Sequence, residues 1–202
     1  MAPECCVLLM VKHPDYAPVK TRLAADIGPE AARSLYEAMA TGTVRALISG
    51  DHVLAVFYDP PAAGEATARW FGPGPIYRPQ RGLDLGERMA AAFREAFDEG
   101  FRRAVLVGSD IPGLSGDLVG QALADLDSHD AVLGPACDGG YYLIGFNREA
   151  FLPEAFVGIP WSTAEVFSKT LEILEKHGRR VLILPSRRDI DTLEDLRRMG
   201  TD

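Results

Sequence analysis

The sequence predicts a three-layer α/β/α sandwich with a mostly parallel sheet, built as one domain over residues 1–202. Two observations carry this. Short apolar runs alternate with helical patterns along the whole chain. Several of those runs, "CCVLLMV", "AVLVG" and "VLILP", are continuously apolar instead of alternating. A strand covered on both faces reads this way, because neither face meets water. The length of 202 residues suits one medium domain.

In chain order, strands are expected at Cys5–Val11, His52–Tyr58, Ala104–Gly108, Ala131–Gly134, Tyr141–Phe146 and Val181–Leu184. A long helix should follow Gly28-Pro29. Ala32, Leu35, Tyr36, Met39, Ala40, Val44, Leu47 and Ile48 keep a 3/4 spacing that makes one buried stripe, and Pro29 suits a first turn that needs no N–H. A second helix is expected from Leu85 to Glu99, with Leu85, Met89, Ala92, Phe93, Ala96 and Phe97 facing inward and Gly100 as its stop. A third should begin at Ser162, where Glu165 three residues on completes a capping box, and end at Gly178. Shorter helices fit Ser115–Leu126 and Thr192–Met199, the last capped by Thr192 with Asp195. The Gly/Pro-rich stretches at 59–65 and 71–82 read as loops.

Composition bounds the function. The net charge is −8, which argues against a broad nucleic-acid face. No apolar run approaches the roughly 18 residues of a membrane span, and the first apolar run is short and preceded by Glu4, unlike a signal peptide. A cytoplasmic protein is expected. Three cysteines, Cys5, Cys6 and Cys137, make neither a disulfide framework nor a zinc pair. The chain has no G-x-S-x-G, P-loop, H-E-x-x-H or G-x-G-x-x-G.

Four stretches can carry chemistry. After the first strand, "VKHPDYAPVKTRL" holds Lys12, Lys20 and Arg22, cations suited to a di- or triphosphate at the ligand-binding end of a sheet; a solvated loop would have the same composition. Ser109-Asp110 closes the strand at 104–108. A carboxylate there can hold a hard cation or cap its own turn. In "SRRDIDTLEDL", Asp189 and Asp191 flank Ile190, so both carboxylates share a face if the segment is extended. Asp191 can equally belong to the cap of the last helix. In "GPACDGGYYLIGF", Gly139-Gly140 permits close backbone approach to a ligand or makes a hairpin turn, which the flanking strand patterns favour.

Taken together these stretches resemble the DUF2064 group of bacterial glycosyltransferase-like proteins, in the GT-A nucleotide-diphospho-sugar transferase superfamily. The family pattern K-x-P-x-P-G-x-V-K-T-R-L lies on Lys12 to Leu23, and G-x-D-x-P-x-L on Gly108 to Leu114. "QRGLDLGERM", "GPACDGGYYLIG", "PWST" and "DIDTLEDL" follow in the family's order, so the resemblance spans about residues 5–199.

The resemblance implies a Mg²⁺ (or Mn²⁺) ion on Asp110, Asp189 and Asp191. It puts nucleotide phosphates on Lys12, Lys20 and Arg22, and the nucleotide near Asp84. Lys20 and Asp110 would stand at the reacting centre. Asp138, Gly139 and Gly140 would line the sugar or acceptor side, with Ser162 and Thr163 contacting it at a helix N-terminus. The implied activity is metal-dependent glycosyl transfer from a nucleotide sugar to a small-molecule acceptor. The alternative is nucleotidyl transfer from an NTP to a phosphorylated small molecule, releasing pyrophosphate. The family's Pro-Gly in the first loop is Tyr16-Ala17 here, which motivates a third reading, nucleotide binding without turnover.

Overall fold

The computed structural model describes residues 4–199; the ends of the expected domain, 1–3 and 200–202, lie outside the described residues. The elements run β1 (Cys5–Lys12), α1 (Thr21–Ile27), α2 (Pro29–Leu47), β2 (Val53–Asp59), α3 (Gly64–Phe71), β3 (Ile76–Pro79) and α4 (Leu85–Asp98). They continue through β4 (Arg103–Gly108), α5 (Gly116–Asp125), β5 (Ala131–Pro135), β6 (Tyr141–Asn147), α6 (Val166–Lys176), β7 (Val181–Ile183) and α7 (Leu193–Met199). All seven strands join one sheet in the order β3-β2-β1-β4-β6-β5-β7. Every pairing is parallel except those of β6, which runs antiparallel to β4 and β5.

Of the continuously apolar runs, β1 and β4 face two cores, while "VLILP" forms the edge strand β7, partly covered and with Ile183 exposed. Leu8, Phe57, Leu106, Leu133 and Ile144 pack on one side of the sheet against Met89, Phe93 and Phe97 of α4 and Leu174 of α6. Val7, Leu9, Val56, Val105, Val132 and Leu143 pack on the other against Val44 and Leu47 of α2 and Val119 and Leu123 of α5. Burial of these side chains stabilises the fold by roughly 1.5–3 kcal/mol each before entropy is counted. Among the described residues no helix is long and apolar enough to cross a membrane.

Four expectations change. The Gly/Pro-rich stretch at 71–82 contains β3, paired in parallel with β2 through Ala55–Tyr58; an edge strand tolerates Pro79 because one side of its ladder is open. The stretch at 59–65 leads into α3. Helix α6 starts at Val166 and not at Ser162, and its N-cap residue, Glu165, makes no side-chain cap bond. Ser162 instead has φ 65, and the Thr163 hydroxyl donates to the Pro160 carbonyl at 2.8 Å. Leu85 and Ile48, expected inward, are exposed. The Thr192–Asp195 cap forms as expected: the Asp195 carboxylate accepts from the Thr192 N–H at 3.0 Å and its hydroxyl at 2.7 Å.

Candidate active site

The carboxyl ends of β1 and β4 lie side by side, and the loops leaving them meet at one cation. Lys20 sits at the N-cap of α1 with φ 47 and ψ 46. That left-handed geometry is costly for a side-chain-bearing residue. Its ammonium donates to Asp110 Oδ2 at 2.8 Å and to Asp191 Oδ1 at 2.7 Å. The Lys20 side chain is 3% exposed, against 37% for Asp110 and 36% for Asp191. Burial works against the charged ammonium, but the two carboxylates outweigh it and raise its pKa, so Lys20 is protonated. Among the described residues only Lys20 and Ser162 combine a side chain with positive φ, and both line the same cleft.

Each acid is held by its own device. Asp110 leaves β4 two residues after Gly108. Tyr36 of α2 ties that end to β1. Its hydroxyl donates to the Lys12 carbonyl at 2.9 Å and accepts from the Lys12 N–H at 3.0 Å. With the phenolic hydrogen so used, the Ser109 hydroxyl at 3.1 Å acts as donor to Tyr36. Burial pushes the Tyr36 phenol up to about 12, so it stays neutral. Asp191 is fixed by Ile190, which packs with Leu23 and Ala32 in a third small core, and by its own N–H, which donates to Asp195.

The remaining residues named from the sequence are placed as follows. Lys12 lines the cleft with Arg22, whose exposed guanidinium lies 3.8 Å from Asp191. Asp84 also lines it, with one carboxylate oxygen accepting from the Glu87 N–H at 2.8 Å as the cap of α4. Asp138 and Gly140 belong to the turn of a β5–β6 hairpin, where Asp138 Oδ1 accepts from the Gly140 N–H at 2.8 Å. Gly139 has φ 91, and a Cβ there would collide with the backbone of Ala164. Its close approach is therefore to the chain leading into α6, not to a ligand. Ser162 and Thr163 line the cleft from an irregular segment ahead of α6, so the expected helix N-terminus is not where they act.

The three acids expected to share a metal are not a three-donor group. Among the described residues no cluster of three His, Cys, Asp or Glu is arranged to hold an ion. Asp110 and Asp191 converge on Lys20. Asp189 is partly buried, and burial followed by the nearby charges of Asp138 and Asp191 pushes its carboxyl up to about 6.

Sequence reasoning missed four residues here. Tyr36 read as part of an apolar stripe, although its hydroxyl was the one polar atom in it. Gln80 is buried, its amide donating to the carbonyls of Val11 and Phe57 at 3.1 and 2.8 Å. Arg88 of α4 lines the cleft 3.3 Å from Asp59. Trp161 stands between an outer cleft of about 670 Å³ and an inner pocket of about 260 Å³.

This sheet order, with its cleft beyond the carboxyl ends of β1 and β4, is the fold of nucleotide-diphospho-sugar transferases. A provisionally assigned nucleotide-diphospho-sugar transferase from Desulfovibrio desulfuricans G20 is 42% identical, with a TM-score of 0.93 over 97% of this chain and 86% of that one. CMP:2-keto-3-deoxy-manno-octonic acid synthetase complexed with CTP is 12% identical, with a TM-score of 0.57 over 98% of this chain and 97% of that one. Rv0371c from Mycobacterium tuberculosis H37Rv in complex with manganese is 14% identical, with a TM-score of 0.54 over 96% of each chain. At those identities the last two share the fold alone. No curated protein matches the chain. The model of DUF2064, described as an uncharacterized protein conserved in bacteria, matches residues 43–163, and the chain belongs to that family.

Proposed function

We propose that this chain is a single-domain cytoplasmic transferase, dependent on a divalent cation, that moves a glycosyl group from a nucleotide sugar to a small-molecule acceptor. The observation that carries the reading is the convergence of Lys20, Asp110 and Asp191 where Lys12, Arg22 and Arg88 line the same cleft. Four cations and two acids suit a ligand with several phosphate oxygens and an accompanying metal. The 42% identical relative described as a nucleotide-diphospho-sugar transferase supports the same class.

The donor set fits Mg²⁺ or Mn²⁺. Asp110 and Asp191 offer carboxylate oxygens, the ligand type a hard cation prefers; one oxygen of each is bonded to Lys20, so a cation would be held by the other two. A cation held by these two carboxylates would take its other ligands from substrate phosphate and water; Asp189 is not among the residues that line the cleft. A bound cation would offset the charge that develops on a departing diphosphate.

The protein's own groups act alongside it. Lys20 lines the cleft beneath its two carboxylates, and its charge would stabilise a phosphate oxygen there. Lys12, Arg22 and Arg88 bind and orient the diphosphate. Asp84 lies where the nucleotide would run. Asp138, Gly140, Ser162 and Thr163 line the pocket on the side of the transferred group; Gly139 contributes by seating the 160s segment.

Nucleotidyl transfer remains the second reading, favoured by the shared fold with a CTP-bound synthetase. Incubation with Mg²⁺ or Mn²⁺, nucleotide sugars, NTPs and phosphorylated acceptors separates the readings. Release of a nucleoside diphosphate with a sugar transferred is expected. Pyrophosphate release would replace this reading with nucleotidyl transfer, and metal-independent binding without turnover would leave a nucleotide-binding protein.

A further inference from the structure

The loop from β1 to α1, residues 13–20, delivers Lys20 to the cleft. Lys20 takes left-handed geometry, φ 47 and ψ 46, which persists only where the surroundings impose it. The two carboxylates hold the ammonium, but they do not hold the chain that leads to it. From Lys12 to Arg22, His13 is the one buried residue. Its N–H donates to the Asp59 carbonyl at 2.8 Å, extending the β1–β2 ladder, and its carbonyl accepts from the N–H groups of Tyr16 and Ala17 at 3.0 and 3.2 Å. Its ring Nδ1 accepts from the Asp15 N–H at 3.3 Å. That ring stands edge-on to two others, Trp70 of α3 at 5.4 Å between centroids and Tyr16 at 5.2 Å. Trp70 is itself fixed. It stacks on Phe71 at 4.2 Å, and its indole N–H donates to the Thr41 hydroxyl of α2 at 3.1 Å.

We infer that Tyr16 is a positioning residue: its ring clamps the loop onto His13 and so keeps Lys20 seated between Asp110 and Asp191, ready for a phosphate-bearing ligand. The part that concerns the ligand rests on the proposed function; the part that concerns Lys20 does not. Tyr16 is 49% exposed, and its hydroxyl makes no hydrogen bond among the described residues. What it offers the loop is therefore the ring. Edge-on contact at this spacing is an arrangement that aromatic pairs prefer.

The other side-chain hold on this loop is weaker. Asp15 pairs with Arg33, which also meets Glu37, but Asp15 and Arg33 are both exposed, where ion pairs contribute little. The row Tyr16–His13–Trp70 instead runs from solvent to a fixed wall. It also acts at a distance from the ligand. His13, Pro14 and Asp15 line a separate cavity of about 350 Å³ with Trp70, whereas Pro18, Val19 and Lys20 line the cleft. A clamp on the first half of the loop thus sets the second half without touching what binds there. This is also the step at which the chain carries Tyr16-Ala17 in place of Pro-Gly, and the ring gives the loop an anchor that a Pro-Gly step lacks.

The test uses the full chain. Trace acetylation read by mass spectrometry reports Lys20 directly, with the exposed Lys169 as internal reference. Calorimetry with UDP, GDP, ADP, CDP and dTDP in Mg²⁺ reports the cleft. Tyr16→Ala should raise Lys20 labelling at least about threefold relative to Lys169, within the range of one edge-on aromatic pair. It should weaken whichever diphosphate the wild type binds by a similar factor. Because the loop opens locally, Tm should stay within about 2 °C of wild type. Tyr16→Phe keeps the ring and should match wild type in both readouts. Added to His13→Ala, where the ring has lost its partner, Tyr16→Ala should change little more. Tyr16 lies at the surface, so its own variants read the clamp even if His13→Ala unfolds. Unchanged Lys20 labelling in Tyr16→Ala overturns the inference, whatever happens to Tm. So does a Tyr16→Phe variant that behaves like Tyr16→Ala, which would make the hydroxyl the active group. Raised labelling with diphosphate affinity equal to wild type also overturns it. If the wild type binds no diphosphate while labelling responds as expected, the clamp on Lys20 stands and the proposed function falls. Unchanged labelling beside firm diphosphate binding does the reverse.

Discussion

Replacing Lys20 by methionine tests the central contact. The change keeps the length of the side chain and removes its charge. Two charge-assisted hydrogen bonds disappear, each worth about 1.5–3 kcal/mol, but release of a buried ammonium offsets much of that. What remains is the repulsion of Asp110 and Asp191. Their bonded oxygens lie 2.8 and 2.7 Å from one nitrogen. They are therefore at most about 5.5 Å apart, where two unit charges repel by about 3 kcal/mol at an effective dielectric constant near 20. Over a third of each carboxylate side chain is exposed, and screening reduces the cost to about 1.5 kcal/mol. For a chain of this size that lowers Tm by about 3–6 °C. The assay is thermal unfolding at pH 7 and low salt, with Lys20→Met and Lys20→Met/Asp191→Asn beside the wild type. The double variant removes one of the two repelling charges and should recover most of the loss. If Lys20→Met melts at or above the wild-type temperature, and the second substitution does not help, the ammonium is not what holds the two acids together.

Tyr36→Phe deletes the hydroxyl that joins β1 to β4, leaving the part-buried Lys12 N–H without its acceptor; a loss of about 0.5–1.5 kcal/mol in denaturant titration is expected, with weaker nucleotide binding. Gly86→Ala gains about 1 kcal/mol of helix propensity but drives a methyl into the Phe156 carbonyl and Trp161. Overpacking of about 1–3 kcal/mol should win, seen as a lower Tm and altered tryptophan emission. His52 has its pKa lowered from 6.5, by burial against the pull of the Leu47 carbonyl. A lowered histidine pKa means that its contribution is present above pH 6.5 and is lost as pH falls through that range. The Tm advantage of wild type over His52→Gln should therefore shrink between pH 7 and 5; an advantage that grows on acidification would reverse the sign of the burial argument.

Much of the framework is legible in the sequence because both-face burial writes itself as unbroken apolar runs, and β1, β2, β4, β5 and β6 are buried along most of their length. β3 is not: "IYRP" is partly buried throughout and takes its strand geometry from pairing with β2. The expected capping box at Ser162 shows the limit of spacing rules. Ser162 and Glu165 have the right separation, but Gly139 packs against Ala164 and the Gly139 carbonyl accepts from Phe167, so tertiary contact delays the helix to Val166. Lys20, Asp110 and Asp191 were each visible as polar residues leaving a strand or entering a helix. Their meeting was not, because they lie 90 and 171 residues apart and only the sheet order joins them. Trp161 and Gln80 fall within "PWST" and "QRGLDLGERM", but no periodicity or cap rule marks them; their roles come from what folds against them.

The reversed direction of β6 has a consequence for how this scaffold can vary. A parallel strand beside β4 would bring its carboxyl end, and another long crossover, to the cleft. The antiparallel β6 brings its first residue there instead, preceded by a tight turn from Ala136 to Gly140. The cationic half of the cleft is thus written in loops after parallel strands, while one wall of the other half hangs on a short hairpin. The turn is itself tied down, to the 160s segment through Gly139 and to Arg187 through Cys137, so a change there would be felt on both sides of the cleft. The two halves of the cleft therefore stand on different parts of the scaffold, crossover loops for the cations and a hairpin for the opposite wall.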